Sequence, residues 1–129
     1  MQGLHLTADL HGCTADAGLL TNPDRLAHWC RDQVARAGLL MVGERWVRFP
    51  ETGGGASAGR GGVTGVVLLA ESHLAVHTWP ELAAVTLDVY VCNLGHDNSA
   101  RAEQLMRAVV TGFRPARVVE HRLRRGELT

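Results

Sequence analysis

With 129 residues, 46% of them apolar and 20% charged, the chain is sized for one domain around a single core. Thirteen basic side chains offset thirteen acidic ones, so no net field points to nucleic acid or a membrane surface as the main partner. No basic-then-apolar leader and no apolar run near the ~20 residues of a membrane span is evident, and the expected location is the cytoplasm. Cys13, Cys30 and Cys92 are odd in number and lack a CxxC pair, which argues against a disulfide framework and against a zinc site.

Leu4, Leu6 and Ala8 alternate with His5, Thr7 and Asp9, a strand pattern. Asn22-Pro23-Asp24 starts a helix, with Asn22 as N-cap and Pro23 at the first helical position. Leu26, Trp29, Cys30, Val34 and Ala37 recur at helical spacing and Gly38 ends the run. Residues 39–49 read as a strand, and residues 50–62 as a glycine-rich surface loop. That loop has neither GxxxxGK[ST] nor a GxGxxG opening a helix, so it is not a phosphate cradle. Strands follow at about 63–71, 73–79 and 84–92, with Pro80-Glu81 breaking the second from the third. Asn98 or Ser99 caps a helix over about 99–111, and Arg117 to Leu123 forms the last strand.

This describes an α+β domain, a two-layer α/β sandwich whose mainly antiparallel sheet carries two helices on one face, in the order β-α-β-β-β-α-β. In Val63-Thr64-Gly65-Val66-Val67-Leu68-Leu69-Ala70 both alternating faces are apolar. Two helices cover one face only, and a second copy of the chain is the simplest cover for the other.

The run Ala70-Glu71-Ser72-His73-Leu74-Ala75-Val76-His77-Thr78-Trp79-Pro80-Glu81, with Asp88-Val89-Tyr90-Val91-Cys92 beyond it, concentrates chemistry. A hairpin turning near Pro80–Ala83 pairs residues whose numbers sum to about 163. Ser72 then lies level with Val91 and Cys92, and a hydroxyl, a thiol and the two histidines His73 and His77 gather in one region. Spacing alone leaves two readings open: a catalytic cluster, or a turn serine beside satisfied polar residues. A metal site would need a third ligand such as His5 or His121, and spacing gives it little support. A hydrolytic serine lacks its GxSxG elbow.

The run from Gly62 to Glu81, including Glu-Ser-His-Leu-Ala-Val-His-Thr-Trp-Pro-Glu, with Cys92 eleven residues further on, resembles the short prokaryotic S-adenosylmethionine decarboxylase proenzymes. Gly3-Leu4-His5-Leu6 with Asp9 and Gly12-Cys13 is similar to that family's opening strand, and Arg117-Val118-Val119-Glu120-His121 to its last. The resemblance implies self-cleavage between Glu71 and Ser72 into residues 1–71 and 72–129, with Ser72 becoming a pyruvoyl group and no external cofactor or metal needed. It implies that His77 assists processing, that Thr64 stands where the family has a processing serine, and that Cys92 donates a proton during decarboxylation. It brings Phe49, Trp79 and Glu81 to the substrate, where aromatic faces and a carboxylate suit a sulfonium and an adenine.

The chemistry explains why these residue types are needed. Loss of an α-carboxylate leaves electrons on carbon, and a cofactor carbonyl condensed with the substrate amine takes them up. Making that carbonyl from serine requires attack of its hydroxyl on the preceding carbonyl carbon and then elimination of the resulting ester. Elimination needs a base such as an imidazole, and the later return of a proton suits a thiol. Four features depart from the family: the longer 50–62 loop, Val47 in place of a histidine, Asn93 in place of a glycine, and the stretch Leu82–Thr86. These bear on substrate, and a pyruvoyl-dependent arginine or ornithine decarboxylase is the alternative. Such a site needs an acidic partner for a long cationic tail, for which Glu44, Glu51 and Asp88 are the candidates. A non-catalytic binding descendant would have no need of Ser72 or Cys92.

Overall fold

A computed structural model describes residues 1–49 and 61–126. Its elements are β1 (Gly3–His11), α1 (Ala17–Thr21), α2 (Pro23–Arg36), β2 (Met41–Arg48), β3 (Val63–Leu69), β4 (Ser72–Trp79), a single 3-10 turn (Pro80–Leu82), β5 (Ala84–Cys92), α3 (Ser99–Phe113) and β6 (Arg117–Arg125). Six strands form one sheet in the order β2-β3-β4-β5-β1-β6, and every neighbouring pair is antiparallel. The α+β two-layer expectation holds, with two corrections to the order β-α-β-β-β-α-β. Four strands, not three, lie between α2 and α3: the strands read at 39–49, 63–71, 73–79 and 84–92 all form, and the order has one strand too few. The one-turn helix α1 also precedes α2; five residues are too few to show a period. Of the glycine-rich loop, residues 50–60 lie outside the described residues.

Local chemistry sets the boundaries. Asn22 Oδ1 accepts from the backbone N–H groups of Asp24 and Arg25, at 3.0 and 3.3 Å, and Pro23 occupies a first-turn position where no N–H is needed. Gly38 closes α2 at φ 79°, a left-handed conformation that glycine adopts without cost.

Alternation then divides the sheet into two faces. Leu4, Leu6, Ala8 and Leu10 on β1, Leu74 and Val76 on β4, and Val85, Leu87, Val89 and Val91 on β5 are all buried. They pack with Leu26, Cys30 and Val34 of α2 and with Leu105, Val109 and Phe113 of α3 in one core. Trp29 and Phe113 join the two long helices edge to face, with ring centroids 5.5 Å apart. On the opposite face lie Thr64, Val66, Leu68, His73, Ala75, His77, Thr86, Asp88 and Tyr90, half-buried except for Leu68, which is 46% exposed. No described helix crosses that face, and none is long and apolar enough to cross a membrane.

Thr78 departs from the apolar pattern of the core. It is fully buried, its Oγ1 donates to the Leu20 carbonyl at 2.7 Å, and it accepts from the Val63 N–H at 2.8 Å. One hydroxyl therefore ties β4 to α1 and to the start of β3. Thr78→Val keeps the shape but strands two buried backbone groups. Urea unfolding at matched protein concentration is expected to show a loss of about 1–3 kcal/mol, and an unchanged midpoint would remove this hydroxyl from the account of stability.

Candidate active site

Ladder register decides what meets what. β4 and β5 pair His73 with Tyr90 and Leu74 with Val89, the register expected from the sequence, so Ser72 stands level with Val91. Ser72 is the first residue of β4 and Cys92 the last of β5. The Cys92 backbone N–H donates to Ser72 Oγ at 3.1 Å. Both residues are half-buried, whereas Cys13 and Cys30 are buried. Burial pushes the thiols of Cys13 and Cys30 up from their ordinary range, which makes them inert packing groups.

The residue before Ser72 is unusual. Ala70 and Glu71 are the two residues that connect β3 to β4, since Leu69 pairs with Ser72. Glu71 has φ 58°, a left-handed conformation disfavoured for any residue with a side chain. Glu71 is exposed while Ser72 is half-buried. An exposed residue in a disfavoured backbone conformation therefore leads directly into a hydroxyl held against the thiol-bearing residue.

His77 is elsewhere. It pairs with Thr64 across β3 and β4, and Thr64 Oγ1 and His77 Nδ1 share a hydrogen bond of 3.2 Å. The His77 and Trp79 ring centroids are 6.2 Å apart and those of Phe49 and Trp79 6.3 Å apart. Gly62 admits Phe49 to this group, because a Cβ there would come within 2.4 Å of its ring. Glu81 is exposed on the 3-10 turn just beyond Trp79. At ~3.3 Å per residue, five residues of β4 separate this cluster from Ser72 by about 16 Å. The expected gathering of hydroxyl, thiol and both histidines thus divides: His73 is the histidine at the Ser72 end, and His77, Thr64, Phe49 and Trp79 form a second cluster at the other end of the strand.

A third group surrounds His73. The His73 ring stacks on Tyr90 at 5.8 Å and meets His5 edge to face at 6.3 Å. His5 Nε2 lies 2.8 Å from Asp88 Oδ1, and Arg125 reaches His5 Nδ1 at 3.2 Å. A guanidinium only donates, so Nδ1 accepts from Arg125 and the Nε2–H donates to Asp88. Burial, and then His5, hold the His73 imidazole below its ordinary range, against the pull of Asp88. The grouping of Tyr90, Asp88 and Arg125 with His5 and His73 escaped the sequence reading, because His5 and Arg125 arrive from β1 and β6, strands distant in the chain. The one available signal was the alternation within each strand, which sets His5 apart from Leu4 and Leu6, and Asp88 and Tyr90 apart from Leu87, Val89 and Val91, on the face that His73 shares. The metal reading, with His5 or His121 as third ligand beside His73 and His77, finds no grouping here: His73 and His77 sit in different clusters, His5 is engaged by Asp88 and Arg125, and among the described residues no three His, Cys, Asp or Glu side chains are grouped to hold an ion.

Comparison with known proteins follows this geometry. Residues 4–126 match the S-adenosylmethionine decarboxylase family. A relative from Aquifex aeolicus named S-adenosylmethionine decarboxylase proenzyme is 34% identical over 116 residues, 90% of this chain and 75% of its own. A relative of the same name from Archaeoglobus fulgidus is 30% identical over 96% of this chain and 97% of its own. The crystal structure of adenosylmethionine decarboxylase from Aquifex aeolicus superimposes with a TM-score of 0.80 at 31% identity, covering 98% of this chain and 92% of that one. Sequence match, fold and a serine–cysteine pair at the end of a shared hairpin agree, and the chain belongs to the S-adenosylmethionine decarboxylase family.

Proposed function

We propose that this protein is a proenzyme that cuts itself between Glu71 and Ser72 and then decarboxylates S-adenosylmethionine, giving the aminopropyl donor for spermidine synthesis. The observation that carries the reading is the contact of Ser72 Oγ with the Cys92 amide, directly after a left-handed Glu71. In the cleavage, Ser72 Oγ attacks the Glu71 carbonyl carbon, the Glu71–Ser72 C–N bond breaks, and the hydroxyl proton passes to the freed nitrogen. Removal of the Ser72 α-proton then expels the Glu71 carboxylate, which keeps the serine oxygen and ends the 1–71 piece. Water hydrolyses what remains at residue 72 to a pyruvoyl group and ammonia. The residues fit that group: Glu71 is exposed, and Ser72 is half-buried against the backbone of the thiol-bearing Cys92. The pyruvoyl carbonyl supplies the electron sink that side chains lack. Cys92 is the acid poised to return a proton to the carbon that loses its carboxylate.

His77, hydrogen-bonded to Thr64, is the base for the α-proton, yet its own Ser72 is five residues away on the same strand. A second copy resolves this. A two-fold contact between open sheet faces runs the strands in opposite senses and brings the His77 end of one protomer to the Ser72 end of the other. Val66 and exposed Leu68 and Val47 supply apolar surface for that contact. Phe49, Trp79 and Glu81 then reach the same composite site from the partner, offering aromatic faces and a carboxylate to the cationic substrate. For the arginine or ornithine alternative, Glu44 is taken by Arg31 at 2.5 Å and by the Trp46 indole at 2.9 Å, and Asp88 by His5. Glu51 lies outside the described residues.

Intact mass tests the first step. Wild-type protein is expected as two pieces, 1–71 and 72–129, the second blocked at its N-terminus, with Ser72→Ala a single chain. An uncut wild type after long incubation would refute the proposal.

Mixing variants tests the composite site. His77→Ala alone is expected to cut slowly or not at all. Co-expressed with Ser72→Ala, its Ser72 meets an intact partner His77, and the His77→Ala chain is cut. Failure of that rescue, or a 13.9 kDa particle in light scattering at micromolar concentration, would place the base in the same protomer.

Substrate is tested by carbon dioxide release from S-adenosylmethionine, arginine and ornithine on the processed protein. Release from S-adenosylmethionine alone is expected. For Glu81→Gln, a lower kcat/KM is expected, by about 10-fold if the carboxylate meets the sulfonium. Release from arginine or ornithine only would overturn the substrate and leave the cleavage standing.

A further inference from the structure

We propose that Asn98 is a positioning residue for Cys92, an assignment that rests on the decarboxylase reading above. Asn98 occupies the N-cap position of α3 but makes no side-chain capping hydrogen bond. Asparagine is among the best N-cap residues because its side-chain oxygen accepts a first-turn N–H. Here the amide is turned the other way. Its Nδ2 donates to the Cys92 carbonyl at 3.0 Å, and its Oδ1 accepts from Arg101 at 3.1 Å.

The loop before it is built to hold that orientation. The Asn98 backbone N–H donates to Asn93 Oδ1 at 2.8 Å, Asn93 Nδ2 donates to Ser99 Oγ at 3.1 Å, and the Asn93 N–H donates to the Gln2 carbonyl at 2.7 Å. A residue that forgoes its locally preferred bond for a distant one marks a place where local preference yields to a site.

Cys92 ends β5, so it lacks the strand continuation that would fix its backbone. Its N–H is held by Ser72 Oγ, its carbonyl by Asn98, and its strand by pairing with Gly3. Cleavage carries the Ser72 oxygen away on Glu71, so the amide of Cys92 loses that acceptor. Asn98 keeps its hold. The side chain therefore matters little to the cut and much to the later proton transfer, where a displacement of the thiol is costly.

The discriminating variant is Asn98→Asp, with Asn98→Ala beside it. Aspartate caps α3 at least as well and suits a helix N-terminus, but it has no N–H for the Cys92 carbonyl. Both variants are expected to cut at near wild-type rate by intact mass. Both are expected to lose kcat by about 10-fold or more with KM little changed, as for a misplaced catalytic group. Iodoacetamide labelling of the half-exposed Cys92, read by mass apart from the buried Cys13 and Cys30, is expected to change several-fold in rate or pH profile in both. A purely structural cap predicts the reverse: Asn98→Asp with wild-type turnover and labelling and only Asn98→Ala impaired, which would overturn the proposal. Were the wild type itself unable to decarboxylate, the underlying reading would fall, and labelling would decide alone: a several-fold change in Asn98→Asp supports the clamp, and equal rates refute it.

Discussion

The register of the β4–β5 hairpin is the constraint on which the rest of the structure depends. Strand side chains alternate with a period of two, so a slip of one residue would turn His73, Ala75 and His77 into the core and Leu74, Val76 and Thr78 out of it. Leu74, Val76 and Thr78 are all fully buried, and Thr78 is also hydrogen-bonded at both lone pair and proton. A slipped register would thus expose two large aliphatic side chains and leave buried polar groups unpaired. The packing that stabilises the domain is the same packing that brings Ser72 Oγ to the Cys92 amide. Site precision here is a consequence of core energetics, transmitted through one ladder.

The turn ahead of Ser72 works against that stability. A left-handed non-glycine residue costs on the order of 1–3 kcal/mol, and Glu71 is held there because Leu69 and Ser72 are already paired on either side of it. Glycine would relieve the strain. In the proposed cleavage the bond that breaks directly follows this left-handed residue, so the cost falls on the precursor and the cut can release it. The same logic applies to Asn98, whose side chain serves the Cys92 carbonyl while the neighbouring Asp97 carboxylate accepts the Ser99 N–H at the start of α3.

Much of this was legible from sequence where the signal is local. The Asn22–Pro23 start of α2, the Gly38 stop, and the strands from 63 to 92 follow from capping chemistry and alternation, and the hairpin register followed from Pro80–Ala83 as its turn. The run from Glu71 to Glu81 carried the family. What escaped was non-local or too short. The one-turn α1 has no period to detect. The insertion of β1 between β5 and β6, and with it the His5–Asp88–Arg125 contacts around His73, depends on pairing across more than 80 residues. The separation of His77 from Ser72 was present in their numbering, but grouping them by sequence proximity concealed that five strand residues are a long distance.

The proposed contact between two copies would account for both that distance and the doubly apolar β3. Thr64, Val66 and Leu68 share the open face, the first bonded to His77 and the others lying between the His77 end and the Ser72 end. A single chain has no use for half-buried valine and exposed leucine between two incomplete polar clusters. If the face is a contact between two copies, the aliphatic middle supplies association and each end completes the other. Self-cleavage then requires assembly first, since the nucleophile and its base come from different protomers. Order of events would follow from geometry: fold, pair, cut, and only then bind substrate in a site where the Cys92 backbone is held by Asn98 rather than by the lost serine oxygen.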